Sequence, residues 1–267
     1  MNYSLFQNFD KKYFVTKPFP HLVIENALPN EICDELIENY PTKKFQEMSD
    51  FNLSNKRLDL MYKKSLKGPG PSIWNDIEIP AIWQNFLKQN SNEEFKLKFK
   101  EIFEEKFIEI YNNPFPELEK IYTNIAVSAN SPVQENSNSV RRAHLDQPTK
   151  LYTGLYYLRD KNDHTNGGDL EILKWKKSVK NGLDKSYHAR NSEINNNKVD
   201  LIKTVKYSKN TFIIFLNTIE SLHGVTEREK TSYMRKFCVL TGTIQSRLYD
   251  KGLSKKNQIK RIIQKFI

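Results

Sequence analysis

The sequence is poor in the features from which several classes of protein are built. It contains two cysteines, Cys33 and Cys238, in 267 residues. Two are too few for a disulfide framework or a cysteine-held zinc cluster, and this favours a reducing cytoplasmic compartment. No apolar run approaches the roughly 20 residues that a membrane helix needs. The first residues, MNYSLFQNFDKKYF, lack an apolar stretch followed by small residues, so we expect no secretion signal.

The sequence also gives little support for nucleotide binding through a phosphate-binding loop or for nucleic-acid binding. The glycine-rich turn KGPGPS at residues 67–72 lacks both the Gly-Lys-Ser/Thr ending and the preceding strand of a phosphate-binding loop. The net charge of +10 is compatible with nucleic-acid binding. The lysines are spread along the chain, however, and a composition rich in Lys and Asn often reflects AT-rich coding. We therefore expect no nucleic-acid partner.

The first half of the chain carries helical patterns. HLVIEN at residues 21–26 predicts a short strand, and Leu28-Pro29-Asn30 then opens a helix whose apolar face is Ile32, Leu36, Ile37 and Tyr40. A longer helix begins at the capping-box pair Ser91 and Glu94. Its apolar stripe consists of Phe95, Phe99, Ile102, Phe103, Phe107, Ile110 and Tyr111. The stripe predicts a helix laid against a sheet.

From about Lys120 the apolar period changes from 3.6 to 2. The runs IYTNIAVSA, LYTGLYYL, DLEILKW, VDLIKTV, NTFIIFL and RKFCVLTGTI are rich in β-branched and aromatic residues. Short strands without intervening helices predict a mainly β, antiparallel sandwich or barrel. We expect one domain, with helical support at residues 1–119, the β core at 120–246 and a C-terminal helix at 247–267. The basic stretch at 254–267 either packs on that core, which we favour, or lies on a membrane.

Two histidines and an aspartate stand where metal ligands are expected. His144 and Asp146 follow an Asn/Ser-rich loop, and strand alternation places both on one face. His223 opens another short strand. Two imidazoles and one carboxylate form the facial triad of non-haem Fe(II) oxygenases, although hydrogen-bonded core histidines would show the same pattern. The histidines expected to have no role are His21, His164 and His188.

Around these residues the sequence resembles the 2-oxoglutarate- and Fe(II)-dependent oxygenases, in their prolyl-hydroxylase-like branch. HLDQPTKLYTGLYYLRDKNDHTNGGDLEIL and NTFIIFLNTIESLHGVTEREKTSYMRKFCVLTG are similar to the two halves of that family's core, and the resemblance covers about residues 121–244. PFPHLVIENALPNEICDEL is similar to the opening segment of bacterial and phage members. The resemblance implies a double-stranded β-helix, a distorted jelly roll, with N-terminal helices against one sheet.

The resemblance also implies a set of ligands. It implies Fe(II) on the triad, 2-oxoglutarate as co-substrate and ascorbate as a candidate reductant. Arg235, 12 positions after His223, matches the basic residue that binds the distal carboxylate of 2-oxoglutarate. Arg228 is the competing candidate, but it lies in the polar turn TEREKT, whereas Arg235 opens a strand. Tyr157 matches a tyrosine that contacts the same carboxylate, and Thr153 shares its strand face.

In one place the sequence departs from the family. Phe237 stands where some members have a small polar residue that also bonds the carboxylate. The implied activity is hydroxylation of a protein side chain, an amino acid or a surface-polymer intermediate, with release of succinate and CO2. Two alternatives stay open: a nucleic-acid dealkylase of the same superfamily, and a cupin-like metal-binding protein. The dealkylases usually carry a second arginine six residues after the first, where this chain has Thr241.

An insert at residues 176–198 is longer than a turn between strands requires. Its basic residues are Lys176, Lys177, Lys180, Lys185, His188, Arg190 and Lys198, and its acidic residues are Asp184 and Glu193. Long loops are often functional lids. The insert is therefore either a flap over an anionic small-molecule or peptide substrate, or a solvated surface loop.

Overall fold

The structure is a computed structural model that describes residues 1–62, 78–134, 141–180, 182–189 and 193–250. The turn at 67–72, part of the Asn/Ser-rich loop, Arg190 and the basic segment 254–267 lie outside the described residues. The helices are α1 (Asn30–Glu38), α2 (Thr42–Gln46), α3 (Ala81–Gln89), α4 (Glu93–Tyr111) and α5 (Leu183–Ala189). The strands are β1 (Phe14–Val15), β2 (His21–Ile24), β3 (Arg57–Tyr62), β4 (Tyr122–Asn130), β5 (Lys150–Tyr157), β6 (Leu170–Trp175), β7 (Val199–Val205), β8 (Thr211–Leu216), β9 (His223–Val225) and β10 (Arg235–Thr243). None of the described helices has the length and apolar character needed to cross a membrane.

The strands form two antiparallel sheets. The larger has the order β1-β2-β8-β5-β10-β4-β3 and the smaller has the order β7-β6-β9. A β-bridge between His144 and His223 adds the segment before β5 to the edge of the smaller sheet. The chain therefore alternates between the sheets from β4 onward, with only β6 and β7 consecutive in one sheet. That strand order is a double-stranded β-helix, so the predicted mainly β jelly-roll fold is confirmed.

The long helix α4 covers the outer face of the larger sheet. The buried face of α4 is formed by the rings of Phe95, Phe99, Phe103 and Phe107. The ring centroid of Phe99 lies 4.4 Å from that of Tyr152 on β5. Ile110, in the last turn, is 42% exposed, so the buried stripe is shorter than predicted.

The cap of α4 is displaced by one residue from its predicted position. The side chain of Asn92 accepts a hydrogen bond from the Phe95 N–H at 2.9 Å. The hydroxyl of Ser91 instead donates to the Leu87 carbonyl at 2.8 Å, at the end of α3.

The N-terminal region contributes strands as well as helices. β1, β2 and β3 widen the larger sheet at its two edges. Strand β3 pairs with β4, and the register places Arg57 opposite Asn130. Strand β10 pairs with the other side of β4 and places Arg235 opposite the same Asn130. Directly paired residues point to one face, so these three side chains form a row on the inner face of the sheet.

The insert between β6 and β7 is folded onto the smaller sheet. It contains α5, and its buried residues Val179, Ala189 and Ile194 share a core with Leu222. Lys185 is buried and forms an ion pair with Glu220. Part of the insert therefore belongs to the core of the fold, and at least one of its lysines forms an ion pair there.

Candidate metal centre

Three side chains meet at one end of the space between the sheets. The backbone bridge between His144 and His223, with N–O distances of 2.9 and 3.2 Å, fixes the two histidines side by side. Their ring centroids are 4.1 Å apart. One ligand atom from each histidine and from Asp146 lies within 4.8 Å of the others, and all three side chains are buried. This donor set and spacing could hold a divalent metal ion.

The hydrogen bonds of the two histidines prepare them to bind a metal. Nδ1 of His144 lies 2.8 Å from the Arg142 carbonyl, and Nδ1 of His223 lies 2.9 Å from the Ser221 carbonyl. A carbonyl can only accept, so each Nδ1 carries the proton and each Nε2 keeps its lone pair. Burial lowers the pKa of both imidazoles, that of His144 strongly. Both rings are therefore neutral at neutral pH, as metal ligation requires.

Asp146 is held in its ionised form by two neighbours. Burial alone would raise its pKa, but the charge of Lys150 and the Thr153 hydroxyl hold that pKa well below the usual range. Lys150 Nζ donates to Oδ1 at 3.0 Å, and Thr153 Oγ1 donates to Oδ2 at 2.6 Å. Thr153, which the sequence suggested as a co-substrate residue, thus uses its hydroxyl proton to orient the carboxylate.

A second polar corner lies around Arg235. Its Nε donates to the Gly168 carbonyl at 2.8 Å, and its guanidinium carbon lies 4.5 Å from the Phe237 ring centroid and 5.0 Å from that of Tyr157. Phe237 therefore stacks on the guanidinium and adds no polar contact there. These contacts fix both the position and the plane of the cation.

Three buried polar atoms in this corner have no hydrogen-bond partner among the described residues: Nη2 of Arg235, Nδ2 of Asn130 and Oη of Tyr157. Leaving such an atom unsatisfied costs about 1–3 kcal/mol. Burial raises the pKa of Tyr157, and the nearby Arg235 charge opposes that rise. All three groups can donate, so a carboxylate is a ligand that would satisfy them together.

Arg228, the competing arginine, serves the surrounding loops. Its Nη1 donates to the Ser131 carbonyl at 3.1 Å and its Nη2 to the Tyr233 carbonyl at 2.8 Å. Burial lowers its pKa to about 10. Of the two arginines, Arg235 is the one that lines the cavity containing the triad.

The triad and the arginine corner share one cavity of about 110 Å³. Among the described residues, its charged lining comprises four cationic side chains, Arg57, Arg141, Lys150 and Arg235, and one carboxylate, Asp146. The apolar lining comprises Leu155, Leu170, Val225, Phe237 and Val239. The cavity therefore combines a candidate metal site, a corner whose donors suit a carboxylate, and an apolar wall.

Sequence reasoning missed some of the residues around this cavity. Lys150, four positions after Asp146, and Arg141, three before His144, were visible in the local sequence but not assigned. The role of Asn130 depends on cross-strand register, which no local pattern gives. Arg57 was missed because the short strand β3 was not recognised.

Comparisons with known proteins give a likeness in fold only. No family model matches the chain, and no curated protein matches it. Similar solved structures include a prolyl-4-hydroxylase from Pseudomonas putida, at 12% identity over 85% of this chain and 93% of that chain, with a TM-score of 0.47. The viral collagen prolyl hydroxylase from Paramecium bursaria Chlorella virus-1 is 14% identical over 85% and 90% of the two chains, with a TM-score of 0.42. A prolyl 4-hydroxylase from Phytophthora capsici is 12% identical over 91% and 66%, with a TM-score of 0.47. At these values the chemical assignment rests on the geometry of the site.

Proposed function

We propose that the protein is an Fe(II)- and 2-oxoglutarate-dependent oxygenase that hydroxylates a substrate C–H bond. The observation that carries the proposal is that a His-Asp-His cluster and a buried arginine corner share one cavity. A triad alone fits many metals and reactions. A fixed arginine with unsatisfied donors beside it adds the requirement for a second, carboxylate-bearing ligand.

Each group has a distinct task in this proposal. His144, Asp146 and His223 hold Fe(II), and Arg235 with Asn130 binds the distal carboxylate of 2-oxoglutarate. Bound there, Fe(II) and 2-oxoglutarate would activate O2, so that one oxygen atom enters succinate as CO2 is released and the other enters the substrate C–H bond.

The residues around these ligands support them. Lys150 and Thr153 keep Asp146 ionised and oriented, and Tyr157 offers a hydroxyl to the same carboxylate as Arg235. The apolar walls, including Leu155 and Val239, exclude water from the site.

The two alternative functions have less support. A cupin-like metal-binding protein has no use for the buried donors around Arg235. A dealkylase that flips a base out of a duplex reads it by stacking on apolar or aromatic side chains. Among the described residues that line the cavity, Phe237 is the only aromatic apart from the histidines. The guanidinium carbons of Arg57 and Arg235 lie 5.7 and 4.5 Å from its ring centroid, which leaves the ring a poor stacking platform.

The test is ligand binding followed by turnover. Purified protein is titrated with Fe(II) under anaerobic conditions and then with 2-oxoglutarate, whose binding to the metal is followed by visible absorbance. Oxygen uptake and succinate are then measured on admission of air. We expect one Fe(II) per chain and oxygen uptake only with 2-oxoglutarate. Metal binding that is unchanged in His144→Ala, or oxygen uptake independent of 2-oxoglutarate, would contradict the proposal; His188→Ala is the matched control.

A further inference from the structure

The cavity carries two arginines that the proposed chemistry does not use. Arg57 opens β3 and Arg141 precedes the triad by three residues, and both line the cavity beside His144 and Asp146. The cross-strand row places Arg57 next to Asn130, with Arg235 on the other side. The two arginines therefore lie on the same side of the molecule as the metal ligands.

Arg57 is anchored in a way that suits a binding role. Its Nε donates to Asp59 Oδ1 at 3.0 Å, which occupies one of the five N–H donors of the guanidinium. Its side chain keeps 36% of its surface exposed, and its guanidinium carbon lies 5.7 Å from the Phe237 ring centroid. The group is thus positioned by the protein while it remains open to a ligand.

Arg141 is held in a less favourable environment for a cation. Burial lowers its pKa, and the charge of Arg57 lowers it further, while Asp146 and Glu193 oppose the change. Arg57 and Arg141 are like charges that line one partly desolvated cavity. An anion bound in that cavity would be attracted to both guanidinium groups and would reduce their repulsion.

The charges around the cavity also favour an anionic ligand. Lys150 is paired with Asp146, and Arg235 faces the corner for the co-substrate carboxylate. Among the described residues, the cationic side chains that line the cavity exceed the carboxylates by one even when Asp59 and Glu193 are counted. The charges of Fe(II) and 2-oxoglutarate cancel, so this excess remains after both have bound.

We propose that the substrate carries an anionic group, a carboxylate or a phosphate, which Arg57 and Arg141 bind while the carbon to be oxidised lies at the metal. The inference deepens the proposed function and rests on it. The cavity, about 110 Å³, is well below the roughly 300 Å³ and more of typical ligand pockets, and in the proposed function it also receives 2-oxoglutarate, so only a small group of the substrate would enter it.

The test uses simple anions on the full chain loaded with Fe(II) and 2-oxoglutarate under anaerobic conditions. Acetate, inorganic phosphate and the neutral acetamide are titrated calorimetrically into this complex. We expect the better of the two anions to bind and acetamide not to bind. Arg57→Gln and Arg141→Gln should each weaken anion binding at least tenfold. Lys56→Gln and Arg142→Gln change exposed neighbours of these arginines and should leave it unchanged.

The outcomes separate the possibilities. Tighter acetate binding supports a carboxylate-bearing substrate, and tighter phosphate binding supports a phosphate-bearing one. The inference is overturned if neither anion binds wild type, if acetamide binds as well, or if both arginine variants bind anions normally, as they would if acetate sat on the metal alone. It is also overturned if the arginine variants lose 2-oxoglutarate affinity in parallel. A wild-type protein that binds neither Fe(II) nor 2-oxoglutarate would instead refute the proposed function.

Discussion

The two faces of strand β5 carry similar residues and do different work. On the outer face, the Tyr156 ring packs on Phe86 with centroids 5.6 Å apart, and its hydroxyl donates to Asn210 Oδ1 at 2.9 Å. On the inner face, the adjacent Tyr157 is equally buried, but its hydroxyl has no partner among the described residues. Polar groups on the outer face are satisfied by the fold, whereas the inner face leaves donors for a ligand.

This contrast implies that the two faces respond differently to mutation. Changes on the outer face should lower the free energy of unfolding and leave ligand affinity intact. Changes on the inner face should lower ligand affinity and affect folding less, because the protein already carries the cost of unsatisfied groups there. Pairs of variants, one on each face of the sheet, test whether effects on stability and on ligand affinity separate in this way.

The largest effect is expected at the inner face, in the triad. His223→Ala should abolish tight Fe(II) binding, because two remaining ligands rarely hold a first-row ion tightly. Anaerobic titration with a metal indicator measures this, and circular dichroism checks that the variant is folded. If the variant still bound one Fe(II) tightly, the division between a ligand-binding inner face and a structural outer face would be wrong.

The second-largest effect is expected on the outer face of the sheet, where α4 packs. Phe99→Ala should lower the free energy of unfolding by about 3–5 kcal/mol, because a fully buried ring packed against Phe103 and Tyr152 is lost. Denaturant unfolding measures the loss. Fe(II) affinity of the folded variant should be unchanged. Ile110→Ala, in the exposed last turn of the same helix, is the control and should cost about 0.5 kcal/mol or less.

The two arginines provide a third comparison. Arg235→Ala should raise the KM for 2-oxoglutarate at least tenfold, since a lost charge-assisted pair costs about 2 kcal/mol. Arg228→Ala should leave the KM unchanged. Its loss should instead destabilise the fold by about 1–3 kcal/mol, because buried hydrogen bonds to loop carbonyls are lost. If Arg228→Ala raised the KM and Arg235→Ala did not, Arg228 would be the residue that binds the distal carboxylate of 2-oxoglutarate.

The smallest effect compares the two tyrosines of β5. Tyr157→Phe removes an unsatisfied hydroxyl, so the ligand-free protein should be as stable as wild type or slightly more stable. Its 2-oxoglutarate affinity should fall by about 1 kcal/mol, or several-fold. Tyr156→Phe should show the reverse, with a loss of about 1 kcal/mol in stability and normal affinity. Thermal unfolding with and without 2-oxoglutarate measures both; a destabilised ligand-free Tyr157→Phe would show that its hydroxyl serves the fold.

Much of the fold followed from local patterns, because alternation and apolar period are properties of short stretches. Six runs of period two became β4, β5, β6, β7, β8 and β10. The row of Arg57, Asn130 and Arg235 was not predictable, because it joins three strands that are distant in sequence. The hydrogen bond from Thr153 to Asp146 was not predicted, since alternation gives the direction of a side chain and does not choose among its neighbours.

The bridge between His144 and His223 also has a consequence for when the proposed metal site can form in the cell. The two residues are 79 positions apart in the chain. At about 5–20 residues per second, a ribosome needs on the order of 4–16 seconds to advance from one to the other. During that interval the nascent chain offers only two of the three proposed ligands, His144 and Asp146, which are too few to retain iron. In the proposed iron site, the metal would therefore bind only after β9 has been synthesised and both sheets have formed, so the newly synthesised chain would start as the apoprotein.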